Sequence, residues 1–459
     1  MNGQVLLTQI INNPLTRRVL KNSGYLFSAT GITAFVSMLQ SILAGRLLGV
    51  AGFGVLGVIT MFASVINKFA SFRMGELVIK YVGHYTESGD RERAAAVFKA
   101  AALVEMLASL IAFGLVWLLA PLGALYLAKD SGATGWFVIY GLIVLANLIS
   151  ESSTGLLQFF DRYRRMAVLN VIQSLFTLAV IVLAYVSGGG LLQVLLAYLG
   201  GKVIGALGLT VAALIEAGHR WGSDWWRASL RLLRPQAKEL ARFAVNTNLS
   251  ASLSLINKDS ELLWVSFFRN PLETGYYKTA LAIVNLVQLP VSPLPQATYP
   301  ELSRQVARKD WAGMRSLLRN GSLLAGGFTL IVSLGLALLG QPLILLLYKK
   351  TEFLPAYPAL LIMLVGFLVA NTFYWARPAL LALGLPGYAT RVNVLVTIIK
   401  IAGVLVLLPR IGYLGSAIML TVSYLLGISL SVLRSRSEIK RRSAAGAELH
   451  KQPAGEAEA

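Results

Sequence analysis

Six basic side chains, Lys68, Lys202, Lys258, Lys278, Arg377 and Lys400, sit inside long apolar stretches of this chain. A Lys or Arg at the centre of a helix in lipid costs roughly 2.5–3.5 kcal/mol, so such residues face a bundle interior or a water-filled cavity. A cavity lined mostly by positive charge takes in something negative. Lys202, Lys258 and Lys400 fall near the middle of their apolar runs, where snorkelling to water is hardest. Lys68 and Arg377 lie toward one end of theirs and Lys278 toward the other, where snorkelling competes with a lumen-facing role. Carboxylates accompany them. Residues 256–263 (INKDSELL) hold Lys258, Asp259 and Glu261, and the three-residue spacing puts Lys258 and Glu261 on one helix face. Such a pair either neutralises itself for stability or opens when a substrate or ion competes for a partner. Glu151 and Glu105 are further sites for a proton or Na⁺, or equally partners for a lysine.

No constellation for covalent or metal chemistry accompanies these charges. The chain has no cysteine, and its three histidines, His84, His219 and His450, fall outside the apolar runs. Gly201–Lys202 is not part of a phosphate-binding GxxxxGK[ST] loop. The expectation is therefore a transporter and not an enzyme, without cofactor or metal, driven by a proton or Na⁺ gradient or by substrate flux.

The elements that hold these residues follow from composition. Of 459 residues, 56% are hydrophobic and only 14% charged, against about a quarter charged in soluble domains. Apolar runs long enough to cross about 30 Å of hydrocarbon as helices recur at 23–46, 53–72, 96–119, 136–160, 165–186, 190–215, 243–267, 275–299, 317–340, 356–382, 389–408 and 412–433. The fold class expected is an all-α polytopic membrane protein with about 12 transmembrane helices. With the N-terminus inside, 29 of the 41 Lys and Arg residues fall in cytoplasmic segments, six on the other side and six within spans. That split puts both termini in the cytoplasm. It also assigns the net charge of +20 to membrane topology and not to nucleic acid. Residues 16–21 (TRRVLK) read as a basic anchor before a retained first helix, not a cleavable signal.

The halves resemble one another. A shift of 221 residues aligns Lys21 with Arg242 and Gly54, in the GFG of residues 52–54, with Gly275, in the TGY of residues 274–276. The organisation expected is a cytoplasmic arm (1–22), an N-lobe of six spans (23–217), a basic inter-lobe loop (218–242), a C-lobe of six spans (243–433) and a disordered tail (434–459). Parallel repeats of this kind are common in secondary transporters. Segments 72–94 and 301–319 mix basic with apolar residues, as either interfacial helices or folded connectors. Pro290, Pro293, Pro295 and Pro300 predict a broken eighth span. The GxxxG spacings Gly45–Gly49 and Gly201–Gly205 predict close helix packing.

Residues 46–59 (RLLGVAGFGVLGVI), 81–94 (YVGHYTESGDRERA), Glu261 through Gly275–Tyr276, and 300–308 (PELSRQVAR) occur in an order that resembles the polysaccharide transporter branch of the multidrug/oligosaccharidyl-lipid/polysaccharide (MOP) superfamily. That branch includes the Wzx-type O-antigen flippases of lipopolysaccharide biosynthesis. The resemblance spans residues 20–435. It implies two six-helix lobes in a V (MATE/Wzx-like) around a central cationic cavity in the inner membrane. It also implies alternating-access export of an undecaprenyl-pyrophosphate-linked oligosaccharide, with membrane lipids, a polysaccharide polymerase and glycosyltransferases as partners. Family members often carry an Asp on span 7 before the G-x-Y segment; here Glu261 stands at that spacing, beside Asp259. The alternative is a cation-coupled multidrug antiporter of the MATE type. Its cationic cargo calls for an acidic lumen, whereas bases exceed acids in these spans.

Overall fold

The computed structural model describes residues 14–70, 74–245 and 260–449, with side chains described over 28–68, 74–245 and 260–444. The described residues form helices and turns, with no strand among them. Two compact units divide the chain, Met1–Ser266 and Phe267–Ala459. Among the described residues nine helices are long and apolar enough to cross a membrane. Twelve apolar runs map onto these nine for definite reasons. The stretch Ser28–Lys68 carries two of them, separated where Gly49 takes φ 68° and ψ 179° inside helix α1 (Pro14–Ala70); glycine reaches positive φ without the penalty of a Cβ. The seventh run falls partly on residues outside those described, and the eighth is interrupted.

In the first unit α1 is followed by α2 (Met74–Glu87), α3 (Arg91–Leu122), α4 (Thr134–Ala146), α5 (Ser150–Phe159), α6 (Tyr163–Val186) and α7 (Leu191–Trp221). Helix α6 packs against α1 and α7, while α3 packs against α2 and α4. Asp90 caps α3 by accepting from the Arg93 N–H at 2.9 Å. Helix α2 buries Leu77, Val78, Tyr81, Val82 and Tyr85 against α3 and α5. Its apolar face is covered by protein, so this segment is a folded connector. The chain after α7 docks on the same face. Tyr81 Oη donates to Glu239 Oε1 at 2.7 Å, Tyr85 donates to Gln236, and Lys99 Nζ donates to the Ala228 carbonyl at 3.1 Å. Burial and the Glu239 carboxylate push the Tyr81 hydroxyl up to about 12, which keeps it a donor at every ordinary pH.

Helix α8 (Glu261–Phe268) straddles the division between units. The second unit continues with α9 (Pro271–Gln288), α10 (Leu294–Ala307), α11 (Trp311–Tyr348), α12 (Ala356–Thr372), α13 (Ala376–Ala382), α14 (Pro386–Ile411) and α15 (Tyr413–Leu449). The break expected from the prolines falls between Gln288 and Leu294, and Pro300 is accommodated inside α10. On α11, Leu324, Ile331, Leu338 and Leu346 are 67–80% exposed. The opposite face buries Ala325, Thr329, Ser333 and Gly340. Large apolar residues outward and small ones inward is the pattern of a helix with lipid on one side and close helix packing on the other.

Helix α15 runs on to Leu449, which corrects the expectation of disorder from residue 434. Glu438, 1% exposed, supplies the reason by gathering Arg434 (3.5 Å), Arg441 (2.7 Å) and Arg442 (2.8 Å). Arg442 also donates to the Leu383 carbonyl at 2.8 Å, fastening α15 to the end of α13.

Candidate functional site

Two adjoining clefts in the first unit share Asn170, Gln173 and Lys202. One, about 300 Å³, lies among α1, α4, α5, α6 and α7, where Ser64, Asn67, Lys68, Asn147 and Ser150 join the shared residues. The other, about 340 Å³, is walled by Thr33, Ser37 and Gln40 of α1, Ser174 and Thr177 of α6, and Tyr198 of α7. Two ammonium groups and a set of amides and hydroxyls therefore face this space. No Asp or Glu is among the lining residues.

Helix contacts explain why these side chains converge. At Gly201 and Gly205 of α7 an added Cβ would collide with Thr177 and Gln173 of α6. The glycines bring α6 close and leave Lys202, next along α7, at the junction of the clefts. This is the close packing that the GxxxG spacing predicts. Gln40, 4% exposed, ties α1 to α6 by donating to the Ser174 carbonyl at 2.8 Å. The α4–α5 span is interrupted at residues 147–149, which brings Asn147 and Ser150 to the cleft. Non-helical backbone at membrane depth is tolerated where it lines a cavity.

The remaining candidates take separate positions. Lys258 and Asp259 lie outside the described residues, so the Lys258–Glu261 pairing does too. Glu261 is 4% exposed in the first turn of α8. Glu105, 2% exposed, accepts from the Glu151 N–H at 2.7 Å, the Ser152 N–H at 2.8 Å and the Ser152 hydroxyl at 2.7 Å. It caps the start of α5, where a carboxylate satisfies otherwise orphaned donors. Glu151 is exposed beside Ser150 but is not a lining residue. Lys278 (half-buried, α9), Lys400 (buried, α14) and Arg377 (exposed, α13) belong to the second unit. Of the five candidate cations among the described residues, the structure brings Lys68 and Lys202 to one cleft.

Two features carry a signal that charge counting overlooks. Thr33, Ser37 and Gln40 recur at helical spacing on α1, and Asn170, Gln173, Ser174 and Thr177 do so on α6. Each is a polar stripe along one face of an apolar helix. The second feature is a charge knot. Glu216 of α7, fully buried, is bound by Arg162 (Nε 2.7 Å), Arg165 (3.2 Å) and Arg220 (3.1 Å). Its carboxylate holds the Arg162 guanidinium above even its ordinary value.

The family model described as polysaccharide biosynthesis protein matches residues 19–306. The inner membrane protein YghQ of Escherichia coli (strain K12) is 24% identical over 344 residues, covering 74% of this chain and 95% of that protein. The lipid II flippase MurJ, in an inward closed conformation, superposes with a TM-score of 0.70 at 16% identity, over 91% of this chain and 90% of its own. An inward-facing multidrug resistance MATE family transporter of the MOP superfamily gives 0.67 at 14% identity, over 90% and 96%. At these identities the two structures establish a shared fold. The fold is thus of the MOP type, and the nine apolar helices among the described residues together with the YghQ match mark a multi-pass inner membrane protein.

Proposed function

The chain belongs to the polysaccharide biosynthesis protein family, and from that premise we propose that it moves an anionic lipid-linked oligosaccharide across the inner membrane by alternating access. Family and fold support a flippase-type transporter. The first-unit cleft carries the finer reading: Lys68 and Lys202 face a space lined by amides and hydroxyls, with no carboxylate among the lining residues. A pyrophosphate with charge near −2 loses much hydration on leaving water. Fixed ammonium groups in a low-dielectric wall offset that loss by Coulomb attraction. Amides and hydroxyls supply both donors and acceptors for sugar hydroxyls. The polyprenyl chain, being hydrocarbon, stays in lipid while the headgroup crosses. The substrate class is an undecaprenyl-pyrophosphate-linked oligosaccharide for surface polysaccharide. Glycosyltransferases that build it and a polymerase that consumes it are the partners this role requires, with a proton or Na⁺ as coupling ion.

Reconstituted vesicles carrying a lipid-linked oligosaccharide test the reading through accessibility of the sugar to an external lectin. K68Q/K202Q is expected to lower the flipping rate at least tenfold. K202R, which keeps the charge, should retain a substantial fraction. Full activity in K68Q/K202Q would sink the proposal. Transport of a cationic dye in place of the oligosaccharide would instead support a multidrug antiporter.

A further inference from the structure

The two units begin and end a pair of helices alike. Helices α3 and α11 each start after a left-handed residue, Gly89 (φ 78°) or Lys309 (φ 56°). Each is capped by an aspartate, Asp90 or Asp310, that accepts from the N–H three residues on. Helices α7 and α15 each carry a buried glutamate gripped by three arginines, Glu216 and Glu438. In the first unit the space between the start of α3 and the end of α7 is covered by the chain that follows. Trp225 packs on Phe98 with ring centroids 5.4 Å apart, and Lys99 donates to the Ala228 carbonyl. In the second unit Arg319 stands nine residues past Asp310, as Lys99 stands nine past Asp90. The matching space there is an open cleft of about 370 Å³.

Four cations line that cleft: Arg315 and Arg319 of α11, and Arg436 and Lys440 of α15. Each pair is spaced i, i+4, the spacing at which like charges repel on a helix. No Asp or Glu is among the lining residues. Glu438, the carboxylate on the same stretch of α15, is 1% exposed and committed to Arg434, Arg441 and Arg442. The floor is apolar, with Leu318, Trp375 and Ile439, and Trp375 Nε1 is satisfied by Ser322 Oγ at 2.6 Å. At the rim Leu323 and the neighbouring Leu324 are 67% and 77% exposed and begin the lipid-facing side of α11. Cations at the head of an apolar wall, where two spans meet their basic ends, are positioned at headgroup depth.

We propose that this cleft binds the phosphate headgroup of an anionic phospholipid, with one acyl chain lying along Leu323 and Leu324. The proposal does not depend on the transported cargo. Native mass spectrometry of the full-length protein in detergent, titrated with phosphatidylglycerol or phosphatidylethanolamine, provides the test. The expected result is phosphatidylglycerol retained at least tenfold more tightly, with R319Q/K440Q erasing most of that preference. R231Q, at an exposed position of the first unit after α7, should leave it unchanged. Should R319Q/K440Q fail to fold, R436Q alone is expected to weaken retention roughly threefold to tenfold, on the scale of one basic residue at an anionic surface. Equal retention of the two lipids, or unchanged retention in these variants, overturns the proposal. Displacement of the lipid by millimolar inorganic phosphate would show an anion site indifferent to lipid and would overturn it as well. So would binding that emerges only in E448Q/E456Q/E458Q, since the cleft would then belong to the chain's own acidic tail.

Discussion

At the residue scale, this protein separates charges that hold the fold from charges available to a ligand. Glu216 shows the first kind. Its carboxylate is fully buried, while Arg162, Arg165 and Arg220 are 36%, 47% and 45% exposed around it. Arg220 also lies 4.5 Å above the Phe160 ring. Removing the one carboxylate leaves three cations facing each other. Breaking a fully buried pair costs about 3–5 kcal/mol, and the exposure of the arginines brings the expectation for Glu216→Gln to about 2 kcal/mol. Thermal unfolding in detergent should show a midpoint lowered by several degrees. Glu216→Asp, which keeps the charge on a shorter arm, should lose less. An unchanged midpoint in Glu216→Gln would mean that the knot contributes nothing to stability. Lys202 shows the second kind: Lys202→Gln should leave the midpoint unchanged while lowering flipping, because the residue faces open space where its charge is not needed for packing. A large loss of stability in Lys202→Gln would reassign it to the fold.

At the element scale, glycine contacts decide how closely helices approach, and two of them predict opposite outcomes. An added Cβ at Gly141 of α4 would strike the Val116 side chain of α3, whereas one at Gly155 of α5 would meet the backbone of Gly75 in α2, 2.5 Å from its carbonyl oxygen. Overpacking costs typically 1–3 kcal/mol when side chains can shift. Gly141→Ala should therefore destabilise by about 1–3 kcal/mol and regain part of the loss with Val116→Ala. No side-chain substitution relieves Gly155→Ala, so its loss should persist with every partner change in α2. Rescue of Gly155→Ala by a second substitution in α2 would contradict the close crossing, as would a Gly141→Ala that needs no rescue. The same scale explains what the sequence discloses. Apolar runs disclose helices because spanning requires length. The four prolines disclose the break after Gln288 because proline lacks a donor. Lys68 and Lys202 stand out for their cost in lipid, but their shared cleft depends on the approach of α6 and α7 at Gly201 and Gly205, which spacing suggests and only packing decides. The interruption at residues 147–149 sits inside a run that reads as continuous, although Asn147 and the serines at 150, 152 and 153 are polar enough to mark it. The arginine knots escape notice because loop charges serve equally for topology, and sequence alone does not pair them.

At the scale of the whole molecule, the distribution of Lys and Arg argues that both ends of the chain and its central loop share one side of the membrane. The insertion bias acts on short basic loops close to the spans, and the segment that begins at the end of α7 is of this kind, with Arg220 in the helix's last turn and Arg227, Arg231 and Arg234 following. The turns after α6 and before α4 are poor in basic residues by contrast, with Lys129 between α3 and α4 and none at 186–190. Because the chain contains no cysteine, single cysteines report sidedness without background. Ser131, Ser187 and Ser223 are exposed positions in three such connections. Ser131→Cys and Ser187→Cys should react with a membrane-impermeant maleimide added to intact spheroplasts, and Ser223→Cys only after the membrane is opened. Labelling of all three from one side would contradict the three crossings, α4–α5, α6 and α7, between residues 131 and 223. Reversed sidedness would keep the crossings but remove the charge argument, and with it the placement of Arg315, Arg319, Arg436 and Lys440 on the cytoplasmic leaflet.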